Sequence, residues 1–447
     1  MSPDIIIIGG GLAGLSASIK LVQAGANVLI IEKNNHLGGR TYSFRDKNTN
    51  SVVDNGQHIL VGAYKNTFKY LEMIGTRDLL SPKNPKSLNF IENGKYCYKI
   101  HTCDILPPPF NLFFGFLALY PLSMNDKINL IKIVKDIKRW GRDFAENIKE
   151  KSIENFLNSY EQSENVKKYF WNPLVISVMN ESPDIASALL FAKVLNNTYL
   201  SKDENNRIWL PSVGQSELYV DKAVEFIKVH KSKIVMNQRV DKLLIEGSKV
   251  KGVYIKEKLI ESKYVISAVE NFNILNLLSE KYHNINQFYG IKNFNSSPII
   301  SINLWFDQEI MDDQFVGLIN TNVQWLFNRN RILKENNNRL NHLTAVISNA
   351  RSILEKKKDQ IISLAMEELR TNFSKIEKSK LIHYSVIKER RATFSASPEA
   401  EKYRPNQETE IENFYIAGDW TNTGLPATIE SAVTSGFLCA DLILNKR

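Results

Sequence analysis

A strand, a glycine turn, a helix and a second strand fill the first forty residues and restrict what this chain can become. Asp4-Ile5-Ile6-Ile7-Ile8 reads as a strand buried on both faces, and Gly9-Gly10-Gly11-Leu12-Ala13-Gly14 follows with no spacer. The helical stretch after it (Leu12, Leu15, Ala17, Ile19, Leu21, Val22) ends at Ala24-Gly25, and Val28-Leu29-Ile30-Ile31 closes on Glu32. This order is the unit that binds the ADP half of a dinucleotide. Gly9 permits the tight turn, Gly11 leaves room for a pyrophosphate at the helix N-terminus, and Gly14 lets helix and sheet pack closely. Glu32 lies 18 positions beyond Gly14, near the ~20 expected for a carboxylate that accepts from ribose hydroxyls.

Leu37-Gly38-Gly39-Arg40-Thr41 comes next. A nicotinamide-binding unit has no standard use for a second glycine pair and an arginine at this place. In flavoproteins such a loop lies beside the cofactor, with the arginine facing the pyrophosphate; the alternative is an ordinary turn with a surface arginine.

At 447 residues two domains are expected. Three cysteines (Cys97, Cys103, Cys439) form no disulfide framework, and the seven histidines show no metal-ligand spacing, so the expectation is a reducing, cytoplasmic setting and no metal. The apolar run near the N-terminus breaks into glycines after four isoleucines, as a strand does and a leader does not. A net charge of +9 suits anionic lipid or nucleic acid, or reflects a bias toward Lys; no nucleic-acid motif accompanies it, and no nucleic-acid partner is expected.

Further along, the β character alternates with helical blocks. Val52-Val53-Asp54-Asn55-Gly56-Gln57-His58 reads as a short strand entering a loop, and a helix is expected to start near Ser123 with apolar positions Ile128, Ile131, Val134, Ile137 and Phe144. Strands are expected around Leu243–Ile245 and Val250–Ile255 with a turn between, at Tyr264–Ala268, and at Ile299–Phe306, Val323–Phe327 and Leu343–Ile347, then a helix near residues 355–373. The expected organisation is an α/β, Rossmann-like cofactor domain that is discontinuous (1–76, 205–280 and 385–447), with an α+β substrate domain inserted as 77–204 and 281–384.

Near the C-terminus, Phe414-Tyr415-Ile416-Ala417-Gly418-Asp419-Trp420 is a strand ending in Gly-Asp, and Pro426-Ala427-Thr428-Ile429-Glu430 opens a last helix. A carboxylate at a strand end binds ribityl hydroxyls, and the helix N-terminus suits the pyrophosphate or the flavin C2 carbonyl. Paired with the N-terminal unit, this segment points to FAD.

Gly9–Gly14, Gly38-Gly39-Arg40 and Gly418-Asp419 together resemble the amine oxidase and phytoene desaturase superfamily of FAD enzymes. Asp54-Asn55-Gly56-Gln57-His58, Glu389-Arg390-Arg391-Ala392-Thr393-Phe394, Trp171-Asn172-Pro173-Leu174, Gln324-Trp325-Leu326-Phe327 and the stretch Gly418 to Glu430 are further similar to the squalene-associated FAD-dependent enzymes, the hydroxysqualene dehydroxylases of bacterial squalene and hopanoid synthesis. The resemblance covers essentially the whole chain and implies an amine oxidase or glutathione reductase-like fold. It implies FAD contacts at Gly9, Gly11, Gly14, Glu32, Arg40, Val240 (backbone to adenine), Asp419 and Ile429, with Leu12, Ala13, Lys33, Gly39, Gly418, Ala427 and Thr428 beside them. Ser395-Ala396-Ser397 departs from many relatives and is given no functional weight.

The resemblance also implies reduction of a long-chain isoprenoid alcohol, hydroxysqualene, to squalene. Hydroxide leaves poorly, so an acid is needed. The candidates are His58 and Asp54, with Gln57 orienting the leaving water; Asp54 as a cap of the Asn55-Gly56 turn and His58 as a structural histidine are the alternatives. Glu430 is expected to serve as a charge partner of a helix N-terminus. A carotenoid-type desaturase, an amine oxidase and a lipid-binding flavoprotein without turnover remain as alternative readings. No second dinucleotide fingerprint is present, so an external reductant is expected. The apolar stretch Leu106–Tyr120 followed by Lys127, Lys132, Lys135, Lys138, Arg139 and Arg142 makes residues 105–142 a candidate for peripheral docking on the inner face of the cytoplasmic membrane, against the alternative of a buried helix with a solvated basic face.

Overall fold

Strands buried on both faces need apolar residues at every position, and the isoleucine run supplies them: Ile5–Ile8 is the middle of a five-stranded parallel sheet and is entirely buried. The computed structural model describes residues 2–82, 87–101, 122–201, 203–333 and 340–446. Along the sheet the strands run Lys233–Val235, Val28–Ile31, Ile5–Ile8, Tyr264–Ser267 and Phe414–Ile416, which is order 3-2-1-4-5 in chain sequence. All four pairings are parallel, with Ile5 opposite both Val28 and Tyr264, and Val265 opposite Phe414. The sheet therefore takes its strands from residues far apart in the chain.

Two helices, Leu12–Gln23 and Ile429–Leu444, pack together against this sheet. Their approach depends on Gly436, where a Cβ would lie 2.2 Å from the Ala13 carbonyl oxygen and from Ser16 Oγ. Ser16 Oγ donates to the Val433 carbonyl across the same contact. The hairpin is Lys242–Glu246 with Lys249–Ile255, extended by Lys258–Glu261.

The second sheet has seven strands in the order Leu381–Phe394, Ser296–Phe306, Asn341–Ile347, Trp325–Asn328, Phe315–Leu318, Ser87–Glu92 and Lys95–His101. Only the contact of Phe315–Leu318 with Ser87–Glu92 is parallel. It joins the two inserted pieces of chain into one sheet. The expected boundary at residue 385 cuts through a single 14-residue strand, Leu381–Phe394, that pairs along Ser296–Phe306; residues 385–394 belong to this sheet rather than to the cofactor domain. Helix Lys358–Asn372 covers one side of it through Ile361, Ala365 and Leu369.

Helices between Met124 and Thr198 close the remaining side around Phe156, Trp171 and Phe191. Helix Met124–Lys138 starts as expected, with a capping box between Ser123 and Asp126. Its buried face agrees with the expected one in part. Ile137 is buried and Val134 half-buried as expected, and Leu130 and Ile133 are buried with them, whereas Ile128 and Ile131 are 49% and 38% exposed beside Met124 at 68%. Two apolar stripes share this helix, and only one finds a protein partner among the described residues. Phe144 lies on the next helix, Arg142–Ile148, because Gly141 interrupts the run. Of the docking segment 105–142, residues 105–121 lie outside the described residues. No described helix is long and apolar enough to cross a membrane.

Candidate active site

At the carboxyl ends of the parallel strands the turns open a cavity of about 1680 Å³ that runs into the space between the second sheet and the helices. Drug-sized ligands fill roughly 300–1,000 Å³, so this cavity has room for a large cofactor and a second long molecule. One end is lined by glycines and polar groups, the other by Leu130, Ile133, Phe170, Trp171, Val178 and Trp325 among other apolar side chains.

The polar end is a cradle made mostly of backbone. Helix Leu12–Gln23 begins at Gly11 with no side-chain cap and no acidic residue in its first turn, so its leading N–H groups are left for an anion. Gly9 has φ +103°, and a Cβ on Gly14 would lie 2.1 Å from the Gly9 carbonyl oxygen. Gly38 N–H donates to the Gly10 carbonyl at 2.8 Å, which lays the second glycine loop against the first. Gly39 and Gly11 then face each other so closely that a Cβ on Gly39 would sit 3.2 Å from Gly11 Cα. Glu32 is buried and accepts from Gly10 N–H at 2.7 Å and Asn34 N–H at 2.8 Å. Its carboxylate is thereby fixed at the cavity wall with lone pairs to spare. These features fit the ADP portion of FAD.

Arg40 and Asp419 join the two ends of the chain. Arg40 Nη2 donates to Asp419 Oδ1 at 2.8 Å, and Nη1 donates to the Ala392 carbonyl. Both residues line the cavity. Gly418 has φ +148° and its N–H donates to Ser435 Oγ, so the strand end is anchored on the last helix. That helix is capped by Thr428, which accepts from Ser431 N–H. Leu12, Ala13, Gly39, Gly418, Ala427, Thr428 and Ile429 line the same cavity, as do the buried Val240 and Lys33, whose Nζ lies 3.5 Å from Glu270. Gly14 sits one turn back and acts through packing.

The segment 54–58 divides into a buried anchor and an exposed edge. Asp54 is not on the cavity wall. It accepts from Ser43 Oγ at 2.7 Å, from Gln215 N–H at 3.0 Å and from Arg329 Nη2 at 2.7 Å. Both side chains of the Asp54–Arg329 pair are at most 3% exposed. Gln57 and His58 do line the cavity. Gln57 Oε1 accepts from Arg329 Nη1. Burial pushes the His58 imidazole down to about 4; Asp54 opposes this and Arg40 adds to it. His58 is therefore neutral near pH 7.

Glu430 caps a helix other than its own. It accepts from the N–H groups of Asn66 and Thr67 and from Thr67 Oγ1, at 2.7–2.9 Å, at the start of helix Lys65–Ile74. Burial pushes its carboxyl up against these hydrogen bonds. Ser395, given no functional weight, has a structural contact: it donates to the fully buried Glu181 at 2.6 Å beside Arg351. Arg329 was not foreseen from the sequence. It sits in a run of Asn and Arg that reads as a solvated loop, and the one available signal was its place just after a strand end. Gln215 and Ser43, the other holders of Asp54, carry no sequence signal at all.

The sequence matches the family model described as flavin containing amine oxidoreductase over residues 12–444. It is 28% identical to a hydroxysqualene dehydroxylase of Rhodopseudomonas palustris, covering 99% of each chain, and 26% identical to one of Zymomonas mobilis, covering 98% of each. It is also 26% identical to a 15-cis-phytoene desaturase of an Oncidium hybrid, covering 99% of this chain and 78% of that one. Among solved structures, a putrescine oxidase variant superposes with a TM-score of 0.78 at 14% identity, covering 100% of this chain and 99% of that one. Cyclohexylamine oxidase of Brevibacterium oxydans gives 0.74 at 15% identity, covering 100% and 99%.

Proposed function

This chain belongs to the flavin containing amine oxidoreductases and is an FAD-dependent oxidoreductase, and from that premise we propose that it reduces hydroxysqualene to squalene in squalene and hopanoid synthesis. The observation that carries this reading is the single cavity that continues from the glycine cradle into an apolar, aromatic-walled chamber. Such a chamber suits a long isoprenoid. The near full-length likeness to hydroxysqualene dehydroxylases supports the same substrate.

In this reaction the C–O bond breaks, the hydroxyl leaves as water with one added proton, and a C–H bond forms at the allylic carbon. FAD, when bound and reduced, supplies the hydride and both electrons, and an external two-electron reductant restores it. The chain's own part is to hold the alcohol, exclude water and stabilise positive charge. Phe170, Trp171, Trp325 and Phe327 present ring faces or edges to the chamber, each able to stabilise a desolvated cation by up to about 2 kcal/mol. Asp54 is withdrawn from the role of acid, because three donors hold it behind the wall. His58 stays on the wall as a neutral imidazole that donates a hydrogen bond; it acts as a true acid only as the pH falls toward about 4.

The exposed stripe Met124, Ile128 and Ile131, with exposed Lys132, Lys135, Lys138 and Arg139, suits an anionic membrane surface. The opposite face of the same helix lines the chamber through Leu130, Ile133 and Ile137. Co-sedimentation with anionic liposomes at low salt, lost on changing Lys132, Lys135 and Lys138 to Glu, tests this; equal recovery with and without liposomes overturns it.

The reaction is tested by incubating FAD-loaded protein with hydroxysqualene and a chemical flavin reductant without oxygen. Squalene is the expected product. Desaturation of phytoene, or amine-dependent peroxide release, without squalene formation would overturn the proposal in favour of the other activities of this fold.

A further inference from the structure

The amide of Gln57 can be oriented from its partners alone. An amide has one accepting end, Oε1, and one donating end, Nε2. Arg329 carries five N–H donors and no acceptor, so the end of Gln57 that touches it must be Oε1. Nε2 lies on the other side, where one N–H reaches the His58 carbonyl at 3.3 Å. Both partners demand the same orientation. The second N–H of Nε2 has no acceptor among the described residues, and Gln57 lines the cavity.

Arg329 itself cannot turn away. Its side chain is 2% exposed, Nη2 is tied to Asp54 Oδ2 at 2.7 Å, and Asp54 is in turn held by Ser43 and the Gln215 backbone. The guanidinium fork thus spans two residues of the 54–58 segment, one tine on Asp54 and one on Gln57. It comes from the short helix Arg329–Ile332, which follows the strand Trp325–Asn328 of the second sheet. A residue of the substrate-side sheet therefore sets the orientation of a group on the cofactor-side loop.

We propose that Arg329 is a positioning residue that fixes Gln57 as a hydrogen-bond donor to an oxygen atom carried by the substrate. The identity of that oxygen, the hydroxyl of an isoprenoid alcohol, rests on the reaction proposed above. A pure hydrocarbon would leave the Gln57 N–H unpaired in the cavity, so the device favours an alcohol over a hydrocarbon of the same length.

The test is a binding measurement on the oxidised, FAD-loaded protein, with no reductant and hence no turnover. Hydroxysqualene and squalene are titrated separately and followed through the visible spectrum of the flavin. One neutral hydrogen bond corresponds to a preference of roughly fivefold to tenfold for the alcohol. Gln57→Leu removes the amide and leaves no group at this position that a hydroxyl can donate to or accept from; the preference is expected to vanish while squalene affinity holds. Arg329→Lys keeps a cation beside Asp54 but gives up the fork, and an intermediate preference is expected. A merely structural role for Arg329 would weaken both ligands together. Equal loss for both ligands, or an unchanged ratio in both variants, overturns the proposal. If Arg329→Lys does not fold, Gln57→Leu, which leaves the Asp54–Arg329 pair in place, decides alone. Conversion of hydroxysqualene by the wild type with a ratio insensitive to Gln57→Leu removes this inference and leaves the reaction standing. No conversion and no preference in the wild type removes the reaction, and the inference with it.

Discussion

In the cradle, the groups that meet a ligand are backbone groups brought together by residues near one another in sequence: Gly11, Gly39 and the first turn of helix Leu12–Gln23, with Glu32 pinned by Gly10 and Asn34. In the chamber they are side chains gathered from residues 88 to 346, on four strands of the second sheet and three helices. A backbone site tolerates almost no change at Gly9 and Gly14, because a Cβ there collides with main chain. A side-chain site can be reshaped one residue at a time without losing the fold. The cofactor cradle and the apolar chamber thus differ in tolerance, and the two can be broken separately.

The largest separation is expected from Gly14→Val. The new Cβ would lie 2.1 Å from the Gly9 carbonyl oxygen, so the first turn and its helix cannot keep their contact, and the protein should purify without the visible absorbance of FAD. Retention of a full complement of FAD would show that the cradle is less rigid than its geometry implies. Next comes the joint between the two regions. Arg329→Met leaves Asp54 buried without its cation and should cost about 3–5 kcal/mol in denaturant unfolding. Combining it with Asp54→Leu removes the stranded charge and should recover part of that loss; an additive double variant would mean that the pair is not coupled.

Smaller is Val178→Trp, which narrows the chamber without touching the cradle. It should raise KM for the isoprenoid about tenfold, on the order of one lost apolar contact surface of 1–2 kcal/mol, with FAD content unchanged. A fall in FAD content instead would mean that the two regions are not separable. The remaining expectation concerns pH. His58 has a folded pKa pushed down to about 4 against an ordinary 6.5, so between these values the unfolded chain binds more protons. Stability should therefore fall as pH drops from about 6.5 to about 4 and no further on this account. His58→Gln should remove that part of the slope, as read by chemical denaturation at several pH values.

The cradle was legible in the sequence because its code is local. Gly9, Gly11, Gly14 and Glu32 lie within one strand-helix-strand unit, and spacing along the chain maps directly to spacing in the fold. Even Asp419 could be read, since a strand ending in Gly-Asp before a helix is itself a local pattern. The contact of Arg40 with Asp419 across the two ends was beyond such a reading, and so was the partner of Asp54. Arg329 lies 275 residues away in a polar run, and only the tertiary fold brings it to the site. Helix Met124–Lys138 illustrates another limit. With apolar residues on two sides, periodicity alone selected Ile128 and Ile131, while packing selected Leu130 and Ile133. The expected domain boundary at residue 385 falls inside a strand for a similar reason: no turn signal marks the 14 residues of Leu381–Phe394, and only pairing along Ser296–Phe306 defines its length.

The parallel sheet also has a consequence for the order of events at the ribosome. Its central strand, Ile5–Ile8, is among the first segments made, whereas its edge strand, Phe414–Ile416, and the helix that packs on Leu12–Gln23 are among the last. Since nascent chains emerge at about 5–20 residues per second, the sheet begun by the isoleucine strand waits on the order of tens of seconds for its last strand, which pairs with Tyr264–Ser267, and for the helix that packs on Leu12–Gln23. The seven-stranded sheet gains its last strand, Leu381–Phe394, only 20 residues earlier, so neither sheet is complete until the chain is nearly made. Through that interval a newborn molecule shows bare apolar β-edge, and chaperone capture or self-association competes with maturation.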